Sequence, residues 1–309
     1  MRITRAFSSG LRRATAEPRM VLVLYIVNLL IALPVAMAFR SVLQAGFGSS
    51  MAPSTLMGSL DFTTWQDFIT AHGDELSAVF RQIFWVMIVF MLINTFLAGG
   101  ILTVLKDSRG KYTASSFFGG CGAYLGRFLR LLVLFVIVLL LVALLSGGIV
   151  GFVGQALTEN ATSELTYIWV QVAMSIVFMV PMMIVLMIAD YAKVSVVLND
   201  ERSMLKSAWK STTFVFRHFF KTIGLELLML LVPILLFAAY LLIDLSIGMT
   251  SDLTIVLLMV FQQLFMASRA WTKVLFFEGE LSLYGSLQPV VFSNVEGAGS
   301  SFVTEPVKL

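Results

Sequence analysis

The chain has 309 residues, 59% hydrophobic and 13% charged, with a mean hydropathy of +0.93, a formal net charge of +3 and a pI near 9.0. A soluble domain is nearer half apolar and a quarter charged, so there is too little polar surface here to cover a water-soluble globule. The small positive excess is accounted for by basic side chains facing anionic headgroups and calls for no nucleic acid. Cys121 is the single cysteine, which excludes an intrachain disulfide and a cysteine-built metal site.

Residues 1–19 place Ile3, Phe7, Leu11 and Ala14 at helical spacing, with Arg2, Arg5, Arg12 and Arg13 off that stripe. The pattern predicts an amphipathic helix lying in the membrane interface. An apolar run over 20–39 follows and ends near Ala36-Met37-Ala38. It is longer than the roughly 7–15 residues of a secretory h-region, so an uncleaved anchor is expected rather than a signal peptide. The loop over 40–80 begins Gly- and Ser-rich and then reads as a short amphipathic helix over 61–69, expected to cap the outer membrane face.

A second apolar run covers 79–105. Beyond it Phe117, Cys121, Tyr124, Leu125 and Phe128 form another helical stripe, ending in Arg127 and Arg130, ahead of an apolar run over 129–152. A fourth covers 165–189. Met204, Leu205, Ala208, Trp209, Thr212 and Phe216 form a third stripe, opposed by Arg202, Lys206 and Lys210. Apolar runs over 220–243 and 253–275 complete the set, and the tail over 276–309 reads as extended or partly disordered.

Each run is close to the ~20 apolar residues a helix needs to cross the hydrocarbon core. Backbone polar groups in lipid must be satisfied within the segment, and a barrel strand would alternate over ~10 residues, which these runs do not. The predicted fold is an all-α polytopic bundle of six transmembrane helices. They form three hairpins, each preceded by an interfacial amphipathic helix. One integral membrane domain over 1–275 carries the tail.

The distribution of cations orients that bundle. Of 21 Lys and Arg residues, 19 fall on the side of the N-terminus, and only Arg40 and Arg81 fall opposite. The positive-inside rule then predicts both termini in the cytoplasm.

Chemistry is sparse. The threading puts His72 and His218 on opposite faces, so they cannot share a metal ion. No HExxH, Walker A or nucleophile-elbow pattern occurs, so neither enzyme activity nor a cofactor is expected. Gly119, Gly120 and Gly122 around Cys121 read as close helix packing or a bend. Gly147, Gly151 and Gly154 form a small-residue face for a neighbouring helix or a partner.

Polar side chains inside spans are costly and are the best candidates for function. Glu226 is the sharpest, with Lys193 or Lys221 as prospective partners; Asn28, Asn94, Gln171, Gln262 and Gln263 lie deeper. Pro34, Pro181 and Pro233 predict kinks and freed carbonyls within three spans. The exits of spans four and six share a pattern, Tyr191-Ala192-Lys193-Val194 against Trp271-Thr272-Lys273-Val274. Internal duplication would give it, and so would an aromatic belt with snorkelling lysines.

The stretch Ala189-Asp190-Tyr191-Ala192-Lys193-Val194, then Asn199-Asp200-Glu201-Arg202-Ser203 and a basic helix, resembles a family of uncharacterised bacterial six-span membrane proteins. They are akin to the membrane domain attached to some glycerophosphodiester phosphodiesterases. The resemblance covers spans four and five and the topology. It implies a bacterial inner membrane. The soluble phosphodiesterase barrel is not in this sequence, so its activity is not implied.

The expectation is a non-enzymatic accessory or scaffold subunit that binds lipids and a membrane-protein partner or a second copy of itself. The alternative is a transporter or permease-type subunit with a polar path near Glu226.

Overall fold

A computed structural model of the chain describes residues 2–48, 62–107, 112–159, 163–247 and 251–287. Among them the structure is all helical. The helices are α1 Arg2–Ala16, α2 Pro18–Phe47, α3 Phe62–Ala71, α4 Gly73–Lys106, α5 Ala114–Thr158, α6 Glu164–Asn199, α7 Met204–Arg217, α8 Phe219–Ser246 and α9 Asp252–Leu287. Six of these are long and apolar enough to cross a membrane: α2, α4, α5, α6, α8 and α9. The protein is therefore a multi-pass membrane helix bundle.

The crossing helices overrun the apolar stretches in the sequence. At 1.5 Å per residue, the 45 residues of α5 span about 68 Å, more than twice the ~30 Å of hydrocarbon. Its first turns stand outside the bilayer. The second amphipathic stripe is therefore the start of α5 and not a separate interfacial helix. Thr113 caps it, accepting the Ser116 N–H at 3.2 Å, and nothing breaks the backbone pattern before the span. α9 likewise continues to Leu287 with Phe277, Leu283 and Tyr284 buried, so the segment from 276 begins as packed helix and not as an extended tail. Residues 288–309 of that tail, and 49–61 of the long loop, lie outside the described residues. α2, α6 and α8 each run continuously through their prolines.

Burial is concentrated at one end. Ile101 and Leu102 of α4, Val194 and Val196 of α6, and Val274 and Leu275 of α9 are fully enclosed there. α4 is the central strut: half of its most apolar window is buried inside the chain, against 6% for α8. Small residues let α4 and α5 touch. A Cβ on Gly100 would lie 2.7 Å from the Phe117 carbonyl oxygen, and one on Gly120 would strike the side chain of Thr103.

α1 rests on α9 and α8. Its buried face is Ala6, Gly10 and Ala14, rimmed by the partly buried Ile3, Phe7 and Leu11. α7 packs against α6 through Met204, Ser207, Ser211 and Phe214, and it leaves Leu205, Trp209 and Phe216 exposed.

Polar contacts tie the basic connections together at this same end. Arg13 donates to the Asp107 carbonyl at 2.6 Å, and Lys106 to the Val197 carbonyl at 2.9 Å. Arg127 pairs with Asp200 and Lys210 with Glu201. At the opposite end α3 sits on α2 and α4, with Phe68 stacked on Phe47 at 4.5 Å and packed with Val42, Leu76 and Val79. The short helix the sequence predicts over 61–69 is thus present, running from Phe62 to Ala71.

Candidate functional site

The bundle is tight at the basic end and loosens away from it. The separation of α2 from α4 and α9, and of α4 from α6 and α9, leaves a cleft of three adjoining lobes. Phe90 of α4 lines all three. The inner lobe, of about 630 Å³, lies among α4, α6 and α9 with Leu132 and Pro233 at its back. A middle lobe of about 520 Å³ lies among α2, α4 and α9, and an outer lobe of about 550 Å³ between α2 and α4. Each falls in the usual range of ligand cavities, roughly 300–1,000 Å³. Met87 and Phe90 on the rim are exposed, and they lie mid-way along an apolar crossing helix, so the cleft opens on the flank of the bundle.

The outer lobe is almost wholly apolar, with Asn28 as its one polar side chain among the described residues. The inner lobe is charged: Asp190 and Lys193 of α6 and Arg269, Lys273 and Glu280 of α9 line it together with Asn94. Arg269, Lys273 and Asn94 also line the middle lobe, so they stand at the junction. Lys193 is matched to Asp190, Nζ to Oδ1 at 2.6 Å. The Lys273 ammonium donates to the amide oxygen of Asn94. Tyr25 donates to Gln263 at 2.7 Å across the middle lobe.

Three of the sequence candidates therefore converge: Asn28, Asn94 and Gln263 line the middle lobe. Glu226 lies behind the inner lobe, near enough to Asp190 and Glu280 for the three carboxyl groups to interact electrostatically. One carboxyl oxygen of Glu226 and one of Glu280 are buried without a hydrogen-bond partner among the described residues. Neither of the prospective partners reaches Glu226: Lys193 is held by Asp190, and Lys221 is exposed. Gln171 and Gln262 point outward from α6 and α9 and are exposed.

The small-residue face of α5 stands apart from the cleft. A Cβ on Gly154 would reach the Met174 side chain at 3.5 Å and one on Gly147 would reach Phe178 at 3.9 Å, whereas Gly151 faces open space.

Sequence reasoning passed over Arg269, Lys273 and Glu280 as site residues. A signal for Lys273 existed in its match to Lys193, since the paired exits of spans four and six bring both lysines to one lobe. Glu280 was hidden because the apolar run ends near residue 275 while the helix does not.

Around this core, Tyr284 donates to Ser195 at 3.1 Å and Ser9 of α1 donates to Glu278 at 2.9 Å. The back of the site is thereby tied to α6 and α1. No family model matches the chain, and comparison with curated proteins and with solved structures found no significant match.

Proposed function

We propose that this chain is a non-enzymatic membrane protein that holds a membrane amphiphile in its flank cleft and serves as an accessory or scaffold subunit. It would sit in a bacterial cytoplasmic membrane with both termini inside, beside a membrane partner or a second copy. One observation carries the reading: ionisable side chains at Asp190, Lys193, Arg269, Lys273 and Glu280 line a cleft whose rim is Met87 and Phe90. Ionisable groups inside a membrane bundle are costly, and they mark ligand sites or ion paths. A cleft that is charged within and apolar at a bilayer-facing mouth matches a molecule with a polar head and a hydrocarbon tail.

The test is native mass spectrometry of the protein released from lipid nanodiscs. The protein is expected to retain a lipid, and Ala32→Trp, which fills the outer and middle lobes, is expected to release it. Retention unaffected by Ala32→Trp would refute the cleft as the site.

A second reading, transport of a small solute or proton, is favoured by the two buried carboxyl oxygens of Glu226 and Glu280 that have no hydrogen-bond partner among the described residues. Under it Glu226→Gln would change flux in reconstituted vesicles, and unchanged flux for every solute tried would remove it.

A further inference from the structure

We infer that the cleft selects an amphiphile whose head is a phosphate of net negative charge, with no cation of its own to offset it, seated between Arg269 and Lys273. The inference rests on the amphiphile-binding reading and adds to it the charge and position of the head.

Arg269 and Lys273 are four residues apart on α9, so both project from the same face. Both line the inner and the middle lobe, which puts the two cations at the lobes' junction. The charges around them are unevenly matched. Lys193 has its counter-ion in Asp190. Lys273 donates to the neutral amide of Asn94, and among the described residues neither Lys273 nor Arg269 forms an ion pair. Two positive charges in a membrane cleft therefore stand without a salt-bridge partner, the nearby Asp190 being taken by Lys193, and an anion at the junction would complete them. Phosphate suits the pair: a guanidinium engages two oxygens at once in a planar fork, and an ammonium adds a compact charge.

The neighbouring lobes fix how the molecule lies. Deeper in the inner lobe no cation is left over for an anion: Lys193 is taken by Asp190, and the remaining ionisable side chain there, the fully buried Glu280, is an acid. The head is thus held at the junction instead of sinking inward. From there the outer lobe, walled by Ala32, Val35, Ala36 and Ile83, offers a dry channel for an acyl chain towards the exposed rim. A free phosphate would gain nothing from that channel, so the phosphate that fits the whole cleft is one borne by a lipid.

The experiment uses the full chain in nanodiscs of phosphatidylcholine, with and without a fraction of phosphatidylglycerol. Lipid retained is read by native mass spectrometry and stability by the thermal midpoint. Wild type is expected to retain the anionic lipid about tenfold over phosphatidylcholine and to melt higher as its fraction rises, since a ligand bound only to the folded state stabilises it. In Arg269→Gln/Lys273→Gln the preference is expected to fall to near unity while a phosphatidylcholine molecule is still retained. Lys273→Arg should keep the preference. Lys206→Gln, on the exposed face of α7, should keep it as well and so controls for general attraction to the bilayer surface.

Undiminished preference in the double variant overturns the assignment of the head. Stabilisation of wild type by inorganic phosphate alone, equal to that from the anionic lipid, overturns the lipid source. Failure of wild type to retain any lipid overturns the amphiphile reading itself. If the double variant does not fold, Lys273→Arg and wild type still decide: no anionic preference in either refutes the inference.

Discussion

Gly10 of α1 and Leu275 of α9 touch backbone to backbone: a Cβ on Gly10 would lie 2.9 Å from the Leu275 carbonyl oxygen. A helix that merely floated on the membrane surface would have no such constraint. The contact makes α1 part of the bundle and positions Ser9 to donate to Glu278 one turn along. Gly10→Leu should therefore push α1 off α9. Overpacking of this kind costs about 1–3 kcal/mol. The expected result is a lower thermal midpoint in detergent and faster tryptic cleavage at Arg12 and Arg13, with Ser8→Ala on the exposed side changing neither.

Adjacent glycines in α5 make a sharper contrast. Gly120 faces Thr103 so closely that any Cβ must displace it, while Gly119, one residue earlier, has open space around its Cβ position. Thr103 is β-branched and its hydroxyl is engaged with the Gly99 carbonyl at 2.7 Å, so it yields poorly. Gly120→Ala should destabilise the protein by about 1–3 kcal/mol. Gly119→Ala should be neutral or stabilising by up to ~1 kcal/mol, because it removes a helix-weakening glycine. Equal effects in paired melting curves would show that α4 and α5 do not approach as described.

These contacts show where the sequence was readable and where it was not. Hydropathy alone carries the six crossing helices, since hydrocarbon thickness sets a length that any apolar run declares. Charge placement carries the gathering of Arg13, Lys106, Arg127 and Lys210 at one end. The small-residue signal is uneven: Gly147 and Gly154 make ordinary contacts with α6 and Gly151 none, while tighter approaches lie at Gly100 and Gly120, outside that GxxxG pair, and at Gly10, between Ala6 and Ala14 at the same four-residue spacing. Which glycine meets which neighbour depends on helix rotation, and a single sequence leaves that open. The same gap hid the site: Asn28, Asn94 and Gln263 were visible as polar residues in apolar runs, but Arg269, Lys273 and Glu280 read as boundary charges until α9 was seen to continue past them.

Asp200 ends α6 in the left-handed region, with φ 47°, and pairs with Arg127. The hydrogen bond from Arg127 holds its carboxyl below the ordinary aspartate range, with the charges of Arg127, Lys106 and Arg202 acting in the same direction. A depressed carboxylate stabilises the fold above its unfolded-state pKa, and that contribution disappears as pH falls through the lower folded value. Asp200 is well exposed, so the pair contributes less than about 1 kcal/mol. Asp200→Asn, which still tolerates positive φ, should cost that small amount at pH 7 and nothing near pH 2. Asp200→Ala should cost about 1–2 kcal/mol more at both pH values, because it strains the backbone. Melting both variants at the two pH values checks the separation.

Cys121 is fully buried, which makes the threading testable by cysteine labelling without first removing it. Asp74 lies at the start of α4, at the end capped by α3, and Lys206 lies on exposed α7 at the basic end. If the cation asymmetry sets orientation as the positive-inside rule requires, a membrane-impermeant maleimide added to intact cells should label Asp74→Cys and leave Lys206→Cys untouched. Opening the membrane should then expose Lys206→Cys, with wild type unlabelled throughout. The reverse order of labelling would invert the bundle. The connections bearing Arg13, Lys106, Arg127 and Lys210 would then face outward, and the proposed cytoplasmic placement of both termini would fail.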